Sequence, residues 1–256
     1  MITTVQDIFQ TLCQAAPLEL QMDFDNSGFL LGHGDQKVTK AILALDVTDA
    51  VVDETIREQA ELIISHHPLI FHPLRAATDE TPEGRRILRL IENLIAVISM
   101  HTNLDIAEGG VNDVLMKALG VQTEAALDED GCGRFGVLDA MLSVQEFLPR
   151  VKEALHCNGL RYADAGKPVY RVAVMGGSGA DSIDRAAALG CDTFVTADIK
   201  YHQFQRALDL GLNLIDADHF STENPVVPAL AELLSARHSD VQFLVSEVHH
   251  PIIRFV

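Results

Sequence analysis

Short apolar runs bounded by polar residues or glycine recur along the chain, at residues 41–46, 62–65, 96–100, 169–175, 193–196 and 213–216. Runs of this length, rich in Val, Ile, Leu and Ala, predict strands buried on both faces. Between them the apolar positions take up a helical spacing, over residues 49–61, 81–93, 110–119, 143–155, 182–189, 201–210 and 225–236. Local signals mark several ends. Pro82 stands at a first helical position, Gly120 at a C-cap, and Thr4 is a candidate N-cap for a first helix. Strands alternating with helices predict an α/β fold with a largely parallel sheet. The least patterned stretch, roughly 123–136, is acidic and glycine-rich, with DEDGCGRFG at its centre. A domain connection is expected near there. The chain is therefore read as two α/β lobes, residues 1–130 and 131–256, with helices covering mixed, largely parallel sheets.

Composition sharpens this picture. Hydrophobic residues make up 48% of the chain, tryptophan is absent and aromatics are only 5%. The core must be aliphatic, which suits parallel strands under helices. The charge is −18, from 19 Lys and Arg against 37 Asp and Glu. An acidic surface repels phosphate backbones, so no nucleic-acid polymer is expected as partner, nor an anionic membrane. The same field concentrates metal cations. Cys13, Cys132, Cys157 and Cys191 form no CxxC pair and read as reduced thiols of a cytoplasmic protein. The N-terminal residues lack the basic start and apolar run of a signal peptide, and no apolar stretch reaches the ~18 residues of a membrane span.

The chemistry collects where strands end. SHHPLIFHP (65–73) follows the run ELIIS, and strand carboxyl ends in parallel α/β sheets face the ligand crevice. Two adjacent histidines cannot both point inward from a regular strand, but a bend at its end can aim both, and Pro68 holds His67 extended. SMHTNLD (99–105) follows the run AVIS. Asp105 is a candidate ligand there, or a cap for the segment after it; His101 is a third ligand or the group that holds a ligand in place. DADHFSTE (216–223) follows NLI. His219 and Glu223, spaced i, i+4, share a face if helical and can chelate one ion, while Ser221 or Thr222 can cap the last helix. Three strand ends thus deliver histidine with or without a carboxylate. Imidazole and carboxylate donors without thiolate suit Zn, Mn, Fe or Ni, and their number exceeds the needs of one catalytic ion. Two divalent ions per chain are expected.

Other stretches can line such a site. FDNSGFLLG (24–32) offers Asp25 and Asn26 to a substrate, in a turn closed by Gly28. VAVMGGSGAD (172–181) is a glycine-rich turn able to present N–H groups to an anion. TADIKYH (196–202) adds Asp198, Lys200 as a phosphate-holding group and His202 for proton transfer, or a solvated helix start.

DNSGFLLG, SHHPLIFHP, HTNLD, GGSG, TADIKYH and DADHFSTE occur in the order seen in the Nif-three-like dinuclear metal centre family, which the chain resembles from about residue 4 to 256. Members are often called GTP cyclohydrolase 1 type 2 homologues. The resemblance implies a metal site of His66, His67, Asp105, His219 and Glu223, with His101 usual in the motif but outside the principal ligands. It implies two similar α/β lobes, here with no inserted domain, and a ring-shaped homohexamer built as a trimer of dimers. The chain departs from the family at Phe24, where tryptophan is frequent, and at Asp218, where glycine is. His249 and His250 are not part of the family pattern. The expected function is a metal-dependent hydrolase of a small, nucleotide-like substrate, with His101 or His202 transferring protons. The alternative is a non-enzymatic metal-binding protein, a metallochaperone or an assembly platform.

Overall fold

The computed structural model describes residues 2–256. The first half of the chain contains α1 (Val5–Ala15), β1 (Gly28–Leu31), β2 (Lys40–Ala44), α2 (Asp49–Arg57), β3 (Leu62–Ser65), α3 (Pro82–Glu92), β4 (Ala96–Ser99), α4 (Thr102–Ile106), α5 (Val111–Leu119) and β5 (Val121–Ala126). There follow β6 (Arg134–Leu142), α6 (Val144–Ala154), β7 (Arg161–Ala163), β8 (Val169–Ser178), α7 (Ile183–Ala188), β9 (Thr193–Ala197), α8 (Tyr201–Asp209), β10 (Asn213–Asp216), α9 (His219–Glu223), α10 (Val226–Arg237) and β11 (Gln242–Val245). Helix ends follow the local signals. Thr4 and Asp7 close a capping box on α1, each side chain accepting the other's backbone N–H. Gly120 ends α5 at φ +66°, a left-handed position that side chains rarely adopt.

The six expected strands form as β2, β3, β4, β8, β9 and β10. β1, β5, β6, β7 and β11 lie outside that expectation. β5 and β7 expose most of their residues, β11 exposes half, and β6 is buried only in its first half.

The chain makes two compact units. Unit 1 takes residues up to Ala107 and then Val227–His250; unit 2 takes Glu108–Val226 with Pro251–Val256. The boundary expected near residue 130 lies inside unit 2. There the acidic glycine-rich stretch is the turn of the antiparallel β5–β6 hairpin. Buried Arg134 holds it, donating to Asp113 at 2.8 Å and to the carbonyls of Gly131 and Gly133.

The sheet of unit 1 has the order β1-β4-β3-β2-β11, with β1 antiparallel and the other ladders parallel. Val51, Val52, Ile87 and Leu90 from α2 and α3 pack on Ile42, Ile63 and Val97. The sheet of unit 2 has the order β5-β6-β8-β9-β10-β7, with a parallel centre of β8, β9 and β10 and antiparallel flanks. Leu115, Met116 and Leu119 of α5 and Phe147 and Val151 of α6 cover Val172, Val174, Val195 and Ile215. The buried interior is mostly aliphatic, as the composition requires, with Phe147 and Phe194 its fully buried aromatics. Truncating one such Leu or Ile to Ala costs about 2–5 kcal/mol. Among the described residues no helix is long and apolar enough to cross a membrane, and all four cysteines are free thiols.

Candidate metal centre

In unit 1, parallel β2, β3 and β4 bring their carboxyl ends together. Ser65 pairs with Ser99 in the β3–β4 register, and the two hydroxyls lie 2.8 Å apart. His66 and His67 follow β3; His101 follows β4 after Met100. The N–H groups of His66 and His67 donate to the carbonyls of Ala44 and Leu45 at 3.3 and 2.8 Å. The ladder with β2 therefore continues past the end of β3, and both rings stand on a fixed backbone. The three imidazole centroids lie 4.9, 5.2 and 5.5 Å apart. One ligand atom from each lies within 4.8 Å of the others.

Each ring is oriented by an oxygen. His66 Nδ1 lies 2.8 Å from the Met100 carbonyl, His67 Nδ1 2.8 Å from Asp46 Oδ1, and His101 Nδ1 2.8 Å from Asp25 Oδ1. A carbonyl or carboxylate oxygen only accepts, so in each case Nδ1 carries the proton. The neutral ring then presents the lone pair of Nε2, the tautomer a metal ligand needs. His66 is 1% exposed, so water competes little for it. Asp105 sits in the short α4 with Oδ1 3.6 Å from His66 Nε2. The carboxylate in the first turn of α5 is Asp113, which accepts from the Gly109 N–H at 2.7 Å.

Asp25 and Asn26, expected beside a substrate, are engaged by the protein itself. Asp25 accepts from His101, from the Ser27 hydroxyl, and from the Thr102 N–H and hydroxyl. Burial works to raise its pKa, but these donors overcome it and hold the carboxyl well below the usual range. Its place is behind His101. The Asn26 amide donates to the Ile70 carbonyl at 2.6 Å and ties the two loops together.

In unit 2, His219 and Glu223 open and close α9, and the helical spacing puts Nε2 3.1 Å from Oε1. His219 Nδ1 lies 2.8 Å from Asp198 Oδ2, so this imidazole too is oriented through Nδ1 by an oxygen. Burial works against a charge on the ring, yet Glu223 and Asp198 raise its pKa to about 9. The corner favours a positive charge. The GGSG turn serves it. Gly176 N–H donates to Asn112 Oδ1 and Gly177 N–H to Thr222 Oγ1, both at 3.0 Å, so both point at protein groups rather than at an anion. Gly177 has φ +65°, and a Cβ there would overlap Glu223 Oε1 and lie 3.1 Å from His219 Nε2. Only glycine leaves the carboxylate its seat. Asp218, where the family resemblance expects glycine, has φ +68°. Lys200 and His202 are exposed at the start of α8, where the Lys200 N–H donates to Gln203 Oε1 at 2.7 Å.

Of the orienting carboxylates Asp46 and Asp198, the sequence singles out Asp198 only as a lining residue and Asp46 not at all. Asp46 ends the run 41–46, and Asp198 follows the run 193–196. The rule that found the histidines, polar residues at strand carboxyl ends, applies to both. The donor atoms of each unit, imidazole nitrogens and carboxylate oxygens, fit a divalent cation of the Zn, Mn, Fe or Ni kind.

The model of a family described as Duf34/NIF3 (NGG1p interacting factor 3) matches residues 3–251. A protein of Clostridium perfringens named GTP cyclohydrolase 1 type 2 homolog is 38% identical over 95% of this chain and 96% of its own length. One from Helicobacter pylori named GTP cyclohydrolase 1 type 2 is 32% identical over 90% of this chain and 91% of its own. The crystal structure of a Bacillus cereus protein related to NIF3 covers 100% of this chain and 99% of its own at 26% identity, with a TM-score of 0.92. With these motifs, this fold and a match over nearly its whole length, the chain belongs to the Duf34/NIF3 family.

Proposed function

We propose that the chain is a metal-dependent hydrolase that holds two divalent ions on His66, His67, Asp105, His219 and Glu223 and acts on a small, nucleotide-like substrate. The observation that carries this reading is the trio of imidazoles in unit 1, each turned by an oxygen so that Nε2 is presented. A purely structural histidine cluster has no need of three matched tautomers. The ions would supply positive charge that polarises a substrate oxygen and acidifies water. The relatives named GTP cyclohydrolase 1 type 2 support a nucleotide-like substrate.

The chain's own groups take the remaining roles. His101, backed by Asp25, is assigned proton transfer at Nε2, whose lone pair takes up the proton first. Lys200 and His202 are the exposed cationic and proton-carrying groups available to an anionic substrate. Asp25 and Asn26 shape the substrate loop from behind. We further propose a cytoplasmic homohexameric ring, which light scattering tests directly.

Metal content decides first. Elemental analysis of untagged protein should find about two ions per chain, lost in His67→Ala and Glu223→Ala. His101→Ala should keep the metal and lose turnover on a panel of nucleotides and phosphoesters; loss of metal would reassign it as a ligand. No metal in any form after reconstitution would sink the proposal. Metal without turnover on any substrate would favour the non-enzymatic reading.

A further inference from the structure

Asp46 holds more than His67. Its Oδ2 lies 3.0 Å from Nε2 of His249, and its backbone N–H lies 3.2 Å from the same nitrogen. The His249 side chain is only 7% exposed. It comes from the HHPIIRF segment, which the metal-site motifs leave unused.

The fold explains how a residue 203 positions away arrives there. β11 runs parallel to β2 with Val245 paired to Leu43, and Ser246 N–H donates to the Leu43 carbonyl at 2.8 Å. Beyond the strand the segment is pinned. The Ser246 hydroxyl and the Glu247 N–H donate to the two oxygens of Glu54, a buried carboxylate on α2. Val248 packs against the apolar cluster under α2 and α3. The next residue is His249, delivered to the carboxyl end of β2 where Asp46 stands.

A carboxylate bonded through one oxygen can still turn about its terminal torsion, which is broad and weakly restrained. Asp46 is gripped on both: Oδ1 by His67 and Oδ2 by His249. Nε2 can serve only one of these two groups at a time, accepting from the Asp46 N–H or donating to Oδ2; with the proton on Nε2, His249 donates to Oδ2 and fixes the plane of the carboxylate. That plane sets the direction in which Oδ1 receives Nδ1–H of His67, and so the direction of His67 Nε2.

We propose that His249 is a positioning residue for the ligand His67, acting through Asp46. The metal part of this rests on the metal-centre reading above; the orientation of His67 does not.

The test uses His249→Leu and His249→Asn, which cannot reach Asp46, and His249→Gln, whose amide nitrogen extends to roughly the position of Nε2. In metal-free protein the Nδ1–H proton of His67, identified by its loss in His67→Gln, is followed by NMR. Zn²⁺ affinity is then measured by competition with a chromophoric chelator at fixed pH. The leucine and asparagine variants should lose the slowly exchanging Nδ1–H signal and bind Zn²⁺ about 10-fold or more weakly. The glutamine variant should restore both. A melting temperature close to that of the parent separates positioning from unfolding, and if leucine does not fold the asparagine variant carries the comparison. An unchanged signal and affinity in the leucine and asparagine variants overturns the proposal, as does a glutamine variant that behaves like leucine. Should the unmutated protein bind no Zn²⁺, the metal-centre reading fails while the NMR signal alone decides the orientation: loss supports it and retention overturns it.

Discussion

His66 and His67 leave β3 without a positive φ and keep ladder bonds to β2, whereas His219 follows Asp218 at φ +68° and leans on Asp198 at φ +58°. Both places present oriented imidazoles, but by different means. In unit 1 the ordinary hydrogen bonding of a parallel sheet sets the rings. In unit 2 two aspartates sit in backbone conformations that cost of order 1–3 kcal/mol each, and a glycine makes room for the carboxylate. Imidazoles placed by sheet register tolerate changes around them that do not break the ladder. One placed by strained turns depends on each turn residue.

The sharpest way to break this comparison is Gly177→Ala. The new Cβ would overlap Glu223 Oε1 in addition to the strained φ, and a loss of about 2–4 kcal/mol is expected from overpacking and strain together. Gly190→Ala is the control. Gly190 has φ +75° with nothing near its Cβ position, so denaturant unfolding should show only about 1 kcal/mol lost. Equal losses would mean that crowding at Glu223 does not matter.

Next come the carboxylates behind the rings. Asp25→Asn and Asp46→Asn keep the shape but replace an obligate acceptor by an amide. Zn²⁺ affinity by chelator competition should fall roughly 10–100-fold in each. Asp198→Asn should behave alike if the two units are held by the same principle, and an unchanged affinity there alone would separate them.

The remaining effects are smaller. Asp218→Gly should raise stability by about 1 kcal/mol through relief of the strained φ, offset in part by loss of the 3.3 Å bond from Ser221; a lower melting temperature would show the strain to be compensated. Burial pushes the thiols of Cys191 and Cys157 up to about 11. In the unfolded chain they ionise near 9. Above that pH only the unfolded state gains by losing the proton, so stability should fall as pH rises from about 9 towards 11, with no effect at neutrality. Serine in place of each cysteine should flatten that slope.

How legible these regions were in the sequence follows the same division. Continuous apolar runs revealed every strand that is buried on both faces, and with them the histidines at the ends of β3, β4 and β10. β5 and β7, mostly exposed along their length, left no comparable run. Asp46 was readable as the last residue of a strand, but its partnership with His67 is a contact between neighbouring strands that one strand's pattern does not contain. The hydrogen bonds that occupy Gly176 and Gly177 depend on Asn112 and Thr222, remote in sequence. Periodicity records which face of an element is buried and says nothing of which side chain meets it there. The positive φ of Asp218 falls where the family resemblance has glycine, a residue that adopts such a backbone freely.

The place of β11 has a consequence for how the protein is made. Synthesis proceeds from the N-terminus, and every strand of unit 2's sheet is translated before residues 242–245. Throughout that interval β2 is an open edge, and a nascent chain with an unpaired parallel edge is prone to pair with the wrong partner. Unit 2 can complete its sheet while unit 1, though begun first, still waits for its last strand. The sheet begun first is therefore the one completed last, and His249 reaches Asp46 only after β11 has been made.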